Sequence, residues 1–145
     1  MAILTHRAAA GRDGGIDAAL LVLRLVLGIL VLLHGISKLP PPPTPIVDML
    51  AKANLPSALA YGVYLGEIVA PILLIVGIWT RLAGWIIAIN MVVAVVLVGL
   101  PQLFKLNQYG GYALELEAMY LFGAVVLALA GAGRYSVGGR YGPFN

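Results

Sequence analysis

The stretch A-A-L-L-V-L-R-L-V-L-G-I-L-V-L-L-H-G-I-S, from Ala18 to Ser37, decides the fold class of this chain. Its length matches the roughly 20 residues that a helix needs to cross the hydrocarbon core of a bilayer. Thirteen of its residues are Leu, Ile or Val. At about −0.45 kcal/mol each they contribute about −6 kcal/mol to insertion, against about +3 kcal/mol for Arg24. Insertion is therefore favourable, and the stretch predicts a membrane-spanning helix.

The composition of the whole chain indicates the same environment. Of 145 residues, 61% are hydrophobic and 10% are charged, and the mean hydropathy is +0.99, so the lipid bilayer is the expected partner. The formal charge of +3 comes from Lys and Arg residues scattered singly between apolar runs, and no basic stripe for a nucleic acid is formed. The chain contains no cysteine, so redox chemistry would need a cofactor from outside the chain.

Four apolar runs approach the length of a membrane span, and short connections between them force antiparallel neighbours. The predicted fold is an all-α, up-down-up-down four-helix bundle. Its spans are Ala18–Ser37, Leu59–Trp79, Leu82–Leu100 and Tyr112–Gly131. The chain divides into an N-terminal tail (1–16), a membrane domain (17–137) and a C-terminal tail (138–145). Small residues at helical spacing predict close helix packing: Gly28 and Gly35, Gly62, Gly66 and Ala70, and Ala124 and Ala128.

The basic residues outside the spans predict the orientation. One side receives Arg7, Arg12, Arg81, Arg134 and Arg140, and the other receives Lys38, Lys52 and Lys105. Because cytoplasmic loops carry the excess of Lys and Arg, both termini are expected in the cytoplasm. The protein is expected in a bacterial-type inner membrane.

The first external loop combines prolines with a short amphipathic segment. Pro40, Pro41, Pro42, Pro43 and Pro45 predict a stiff spacer. Thr44 then serves as the N-cap of a short helix that ends near Asn54 and lies along the membrane interface. An ordinary surface turn is the alternative.

Two charges lie deep within the apolar runs, Arg24 in the first predicted span and Glu67 in the second. A charge near the centre of a spanning helix costs about 2.5–3.5 kcal/mol, so such residues are usually paired and functional. Helix rise brings the two close enough in depth for an extended guanidinium nearly to reach the carboxylate, and we expect an Arg24–Glu67 pair. Asn90 in the third span is expected in the layer of Arg24.

Span two is predicted to form a ligand notch around its carboxyl group. Tyr64, Glu67 and Pro71 share one stripe of the helix. Because Pro71 lacks the N–H that the Glu67 carbonyl would otherwise accept, a kink and a free acceptor are expected there.

A second polar layer is expected nearer the outer face, from His34, Lys38 and one acid of the fourth span. Glu115 and Glu117 lie about 200° apart on a helix, so only one of them can face the bundle. Structural explanations stay open, because His34 and Lys38 lie where side chains commonly extend toward water. An Arg24–Glu67 pair could likewise serve only to fix the helix register, and Asn90 only to hold helices together.

Taken in order, these residues resemble the DoxX family of small four-helix membrane proteins over residues 17 to 137. The matching pieces are R-L-V-L-G-I-L-V-L-L-H-G-I-S-K-L from Arg24 to Leu39, N-L-P at Asn54 to Pro56, G-E with G-I-W-T-R-L-A-G through Gly84, Asn90, G-G-Y before an acidic residue, and G-A-G-R-Y-S from Gly131 to Ser136.

The resemblance implies a protein tied to membrane redox work. Family members include the small subunit of a thiosulfate:quinone oxidoreductase and membrane partners of oxidative-stress and sulfur enzymes. The family's H-G-x-x-K stretch falls on His34, Gly35 and Lys38, its buried acid on Glu67 and its span-four acid on Glu115.

Three functions are compatible with these features. The leading one is a quinone-linked redox subunit, in which Arg24, His34 and Lys38 would donate to the quinone and Glu67 would exchange its proton. The second is a non-catalytic accessory subunit of a larger membrane complex, whose other subunits would order the Gly-rich tails. The third is a proton-coupled exporter built on Glu67, against which a neutralising Arg24 argues. No covalently bound cofactor and no metal site are expected.

Overall fold

The computed structural model describes residues 2–39, 44–52, 54 and 56–145, with side chains described for 14–39, 46–52, 54 and 56–145. Within these ranges the regular structure is helical, and the β-structure is limited to an isolated bridge between Leu106 and Tyr112. The predicted all-α fold is confirmed.

Five helical segments build the chain: α1 (Ala2–Ser37), α2 (Thr44–Lys52), α3 (Ser57–Val76), α4 (Thr80–Gln102) and α5 (Glu115–Ala130). Three described stretches are long and apolar enough to cross a membrane, namely Gly14–Ser37 within α1, α3 and α4. The 16-residue α5 is shorter, yet it packs against both α1 and α4. The fold is a helical membrane bundle.

The helix bounds differ from the predicted spans mainly at α1 and α3. Helix α1 begins at Ala2, well before the predicted start of the span at Ala18. Helix α3 ends at Val76 because Gly77 adopts φ 78°, and the amide groups of Gly77 and Ile78 both donate to the Leu73 carbonyl. This left-handed ending suits glycine, which pays no Cβ penalty there. It turns the chain directly into α4.

Two of the helices contain wider π-helical turns, at Leu65–Val69 in α3 and at Val95–Gly99 in α4. The first of these lies just before Pro71, where the missing N–H leaves the Glu67 carbonyl without its ordinary helical donor. The predicted irregularity beside Glu67 therefore takes the form of a π-turn, a feature that often accompanies functional sites.

The helices form a ring in which α1 contacts α3 and α5, and α4 contacts α3 and α5. Its centre is a continuous apolar core that keeps the four helices in register. The core residues are Leu27, Val31, Ala70, Leu74, Ala83, Ile87, Ala88, Met91, Tyr120, Ala124 and Leu127.

Glycines allow α1 to approach α3 closely. A Cβ added at Gly35 would overlap the Glu67 carbonyl oxygen, and one at Gly28 would lie 2.8 Å from Ile75 Cγ1. Gly62, which was predicted to share this role, has no atom within 4 Å of an added Cβ. The close-packing stripe of α3 therefore begins at Gly66, whose added Cβ would meet Asn90 at 2.6 Å.

The short helix predicted in the first loop is present as α2 (Thr44–Lys52). It packs on the helical turn Ser57–Tyr61 at the start of α3, with Leu50 buried. Residues 40–43 of the predicted proline spacer lie outside the described residues.

The two ends of the bundle differ. We call the end where α1 finishes and α3 begins, near Lys38, the cleft end. At the other end residues 131–145, here named the cap, fold back over the bundle. The cap is tied to the turn between α3 and α4 by three backbone hydrogen bonds: Val137 N–H to Val76 O (3.3 Å), Gly138 N–H to Gly77 O (2.9 Å) and Arg81 N–H to Phe144 O (2.9 Å). We call this end the cap end.

Replacing Gly35 with Ala is expected to destabilise the bundle by about 2 kcal/mol, because the new methyl group collides with backbone that cannot move aside easily. Thermal unfolding of the purified protein in detergent measures the effect. Gly62→Ala is the matched control, since its methyl group meets open space and gains helix propensity. Equal unfolding temperatures for the two variants would show that the α1–α3 contact is not tight at Gly35.

Candidate functional site

An ion pair with a buried carboxylate and a half-exposed ammonium side chain lies at the centre of the cleft end. The Glu67 side chain is 4% exposed, and the Lys38 ammonium donates to both of its carboxylate oxygens at 2.7 and 2.6 Å. Asn90 Nδ2 donates to Oε1 at 3.3 Å. The Tyr64 hydroxyl donates to the Lys38 carbonyl at 3.1 Å, so Tyr64 steadies the end of α1. The structure thus brings together four of the predicted site residues.

The local backbone explains how this carboxylate comes so close to two other helices. Gly35 lets α1 contact the π-turn that carries Glu67. Gly66 lets α4 approach the same turn, so that Asn90 reaches the carboxylate. The site therefore depends on glycine at one position in α1 and one in α3, which supply the space that the polar side chains need.

A cleft of about 100 Å³ opens beside this ion pair. Lys38 and Glu67 form one of its walls, and α5 forms another. The full set of lining residues is Val31, His34, Lys38, Glu67, Met91, Ala94, Leu116, Glu117 and Tyr120. Glu67 lines this cleft, whereas Tyr64 and Pro71, which were expected to share the notch with it, are not among the lining residues.

His34 faces this cleft with an ordered ring. Its Nδ1 lies 3.0 Å from the Leu30 carbonyl oxygen, and its ring packs edge-to-face on Tyr120 with centroids 5.7 Å apart. The residue is exposed, so these contacts orient the ring without removing it from its surroundings. Because the Leu30 carbonyl takes up Nδ1, the other ring nitrogen, Nε2, is the one left for further partners.

The acid that α5 presents to the cleft is Glu117, and the predicted use of Glu115 at this site is wrong. Asn107 Nδ2 donates to Glu115 Oε1 at 3.3 Å, and the side chain of Glu115 is exposed. Asn107 Oδ1 in turn accepts from the Tyr109 and Gly111 amides. Glu115 therefore closes the loop before α5, while Glu117 lines the cleft.

The predicted pair between Arg24 and Glu67 is also wrong. Arg24 is 2% exposed and donates to the carbonyl oxygens of Ala132 at 3.2 Å and Tyr135 at 2.6 Å, both in the cap. Its guanidinium lies against Gly77, where an added Cβ would overlap Nη1. Its Nε has no hydrogen-bond partner within the described part of the chain. Arg24 belongs to the cap end and has no part in the cleft, and Asn90 does not share its layer.

The direction in which helical side chains lean explains why Glu67 pairs with Lys38 and not with Arg24. Each side chain leans toward the N-terminus of its own helix. In antiparallel neighbours Arg24 therefore leans toward the cap end and Glu67 toward the cleft end, so the two point apart. Lys38 lies about 21 Å further along α1 than Arg24, and leaning back toward the bundle it meets Glu67.

Sequence reasoning missed the residues that hold the cap. Asp17 accepts the Arg134 amide at 2.9 Å and pairs with Arg140 at 2.8 Å. The hydrogen bond to Asp17 raises the pKa of Arg140, so this guanidinium keeps its charge at physiological pH. The acid at the start of the first span, opposite an Arg-bearing C-terminal segment, was the available signal.

Asn145 is the second missed contact of the cap. Its side chain accepts the Thr80 amide at 3.1 Å and donates to the Gly77 carbonyl at 3.2 Å and the Gly139 carbonyl at 2.7 Å. It thereby fills the turn between α3 and α4. No sequence pattern marks an asparagine for this role.

Within the described residues no group of three His, Cys, Asp or Glu side chains could hold a metal ion. The polar groups that line the cleft are an ammonium, two carboxylates, an imidazole and a phenol. This set is suited to hydrogen bonding and proton exchange with a small polar group.

The sequence profile of the DoxX family matches residues 19–100, which is more than half of the chain. The chain belongs to the DoxX family. It is also 31% identical over 101 residues to a protein of Bacillus subtilis (strain 168) named "Putative oxidoreductase CatD", an alignment that covers 70% of this chain and 75% of that relative. No solved structure matches the chain significantly.

The family match covers part of the candidate site of this DoxX protein. The matched residues run from α1 to the end of α4, so they include His34, Lys38, Glu67 and Asn90. The Glu117 wall of the cleft and the cap lie beyond the match. The resemblance seen in the sequence is confirmed for the ion-pair part of the site.

Lys38→Met is expected to lower the free energy of unfolding by about 2 kcal/mol, because it leaves the Glu67 carboxylate buried without its ammonium. The loss is smaller than the roughly 3–5 kcal/mol of fully buried pairs, since the Lys38 side chain is 38% exposed. The double variant Lys38→Met, Glu67→Gln is expected to regain most of the loss. Unfolding in detergent with a denaturant series measures all three proteins, with Lys105→Met as the exposed control. A double variant no more stable than Lys38→Met would contradict a direct pair.

Arg24→Gln is expected to loosen the cap selectively. The variant loses the bonds to the Ala132 and Tyr135 carbonyls, but it also removes a costly buried charge from the membrane. Hydrogen exchange measured by mass spectrometry should therefore become at least several-fold faster in residues 131–138, with little change in α3 and α4. Lys105→Gln, at the cleft end, is the control. Unchanged exchange in the cap would show that Arg24 does not hold it.

Proposed function

We propose that this DoxX protein is a membrane redox subunit whose cleft contacts the head group of a quinone. Membership of the family and the oxidoreductase name of the Bacillus subtilis relative support a membrane redox association. The observation that carries the quinone proposal is the Lys38–Glu67 pair, which opens onto a cleft beside His34.

The polar groups match the needs of a quinone head group, namely donors for its carbonyl oxygens and a proton-exchanging neighbour. Lys38 has three N–H groups, and two of them serve Glu67, so one remains for a ligand oxygen. His34 Nε2 supplies the proton-exchanging nitrogen. Val31, Met91 and Ala94 supply apolar walls. Arg24, which was predicted as a donor, is not part of this set.

The size of the cleft limits how the ligand binds. A cavity of about 150 Å³ holds a benzene ring, whereas the cleft measures about 100 Å³. A quinone ring therefore enters only part-way unless the half-exposed Lys38 side chain moves aside. The isoprenoid tail would then lie against the lipid-facing side of the helices, where large apolar side chains are exposed in numbers. The protein would hold a head group at its edge and would leave the tail in the bilayer.

The orientation proposed from the sequence places the cleft on the outer side of a bacterial-type inner membrane. Arg81, Arg134 and Arg140 belong to the cap end, and Lys38 belongs to the cleft end. This distribution supports a cytoplasmic cap end.

The other two functions have less support. The accessory-subunit proposal drew on Gly-rich tails that a partner would have to order, but Arg24, Asp17 and Thr80 of the chain itself hold the C-terminal one. The exporter proposal needs a carboxyl group free to alternate between proton and cation, and Lys38 occupies Glu67. Other membrane subunits remain part of the proposal as electron donors or acceptors, because the chain contains no cysteine.

Binding of a short-chain quinone to the purified protein in nanodiscs tests the proposal. Ala94→Phe fills the cleft without removing a polar group, and it is expected to weaken binding at least tenfold. Glu115→Gln, which changes an acid outside the cleft, is the control and should bind like the wild type. Thermal unfolding of both variants verifies that each is folded. Absence of binding by the wild type, or equal binding by a folded Ala94→Phe variant, would overturn the quinone site.

A further inference from the structure

In the part of the chain that the structure describes, one ring nitrogen of His34 has a hydrogen-bond partner and the other has none. Nδ1 lies 3.0 Å from the Leu30 carbonyl oxygen. A carbonyl oxygen can only accept, so Nδ1 carries the hydrogen in this contact. In the neutral imidazole Nε2 is then a bare acceptor. Nε2 can therefore take up one proton without disturbing the hydrogen bond that orients the ring.

The charged and titratable groups around the cleft come from three helices. Besides His34 they are Lys38 on α1, Glu67 on α3, and Glu117 and Tyr120 on α5. Helix α4 contributes the uncharged Met91 and Ala94 to the lining, and the amide of Asn90 behind Glu67. These groups set the charge that surrounds His34.

The charges of this set sum to minus one when His34 is neutral. Lys38 and Glu67 cancel as an ion pair, and Glu117 belongs to neither ion pair of the described residues. One proton on His34 brings the sum to zero. Glu117 is therefore the carboxylate left to balance a proton taken up in the cleft.

Glu67 is poorly suited to take that proton. Its carboxylate oxygens already accept from Lys38 and Asn90. Protonation would leave the Lys38 ammonium without its partner, which is a costly arrangement at a partly buried site. The assignment of proton exchange to Glu67, made from the sequence, is therefore replaced.

We propose that Nε2 of His34 is the group through which the cleft exchanges protons with water, with Glu117 as its counter-charge. In uptake, an N–H bond forms at Nε2 and a hydronium ion in the cleft becomes water, and release reverses this step. Only the biological role of this proton exchange rests on the proposed function, in which a quinone head group in the cleft would meet Nε2.

Nitrogen NMR of the histidine ring in nanodiscs tests the proposal without any quinone. The chain has two histidines, so His6→Gln leaves the signals of His34 alone. The neutral ring is expected to show the tautomer protonated at Nδ1, and acidification should then protonate Nε2 as a single step. A neutral ring protonated at Nε2, or an Nε2 that gains no proton when the sample is acidified, would overturn the proposal.

The matched acids Glu117 and Glu115 test the counter-charge. Glu117→Gln removes a carboxylate that favours the imidazolium, so the ratio of protonated to neutral His34 at a fixed pH should fall at least twofold. Glu115→Gln, outside the cleft, should leave the ratio unchanged. If both variants behave like the wild type, or respond alike, Glu117 is not the counter-charge. The ring signals themselves report whether each variant keeps the ordered environment beside Tyr120.

The two proposals fail in different ways. A protein that binds no quinone but shows the expected titration would lose the proposed function and keep the proton-exchanging histidine. In a protein that does bind quinone, the affinity of the wild type should change between pH 5.5 and 8, and a folded His34→Gln variant, even if it binds more weakly, should lose that pH dependence. Retained pH dependence in a folded His34→Gln variant would remove the histidine and keep the quinone site.

Discussion

Burial of the Glu67 carboxylate among four helices is the constraint on which the cleft end depends. A carboxylate taken out of water without a partner costs several kcal/mol, and the Lys38 ammonium at 2.6 Å offsets that cost. The contact requires α1 and α3 to pack closely, which Gly35 permits. Gly66 in α3 likewise permits the close approach of α4. The π-turn and the ion pair are therefore one arrangement, because the wider turn presents the carboxylate where the end of α1 can reach it.

The second buried charge is stabilised by different means. Arg24 has carbonyl oxygens of the cap as its partners, and in a membrane such carbonyls replace the water that a guanidinium would otherwise bind. The segment after the last helix folds back over the bundle because polar groups there need hydrogen-bond partners. Besides Arg24, Asp17 and Thr80 also form hydrogen bonds with the cap. The bundle thus keeps its two charges apart, with one holding the cap and the other shaping the cleft.

The fold was readable from the sequence, because a bilayer imposes the length and composition of each span. Glu67, Lys38 and His34 were found as candidates on the same grounds, since intramembrane polar residues are rare and costly. Their partners were not found, because depth along a helix was estimated from Cα positions alone. The lean of side chains toward their own N-termini moves Arg24 and Glu67 apart. Residue spacing alone does not show that Glu117, and not Glu115, faces the cleft. That depends on the loop before α5, where Asn107 donates to Glu115.

A cleft that exchanges protons in a low-dielectric surrounding needs a group whose protonation leaves no other charge without a partner. The Lys38–Glu67 pair does not meet this condition, since neutralising either side chain leaves the other charge without its partner. A histidine whose Nδ1 is already satisfied by a helix carbonyl does meet it, because only Nε2 changes and its ring stays in place. The ion pair then has a different role: it holds a fixed donor at the cleft while its own net charge stays at zero. In the proposed function the pair would orient a ligand oxygen, and the imidazole beside it would carry the proton.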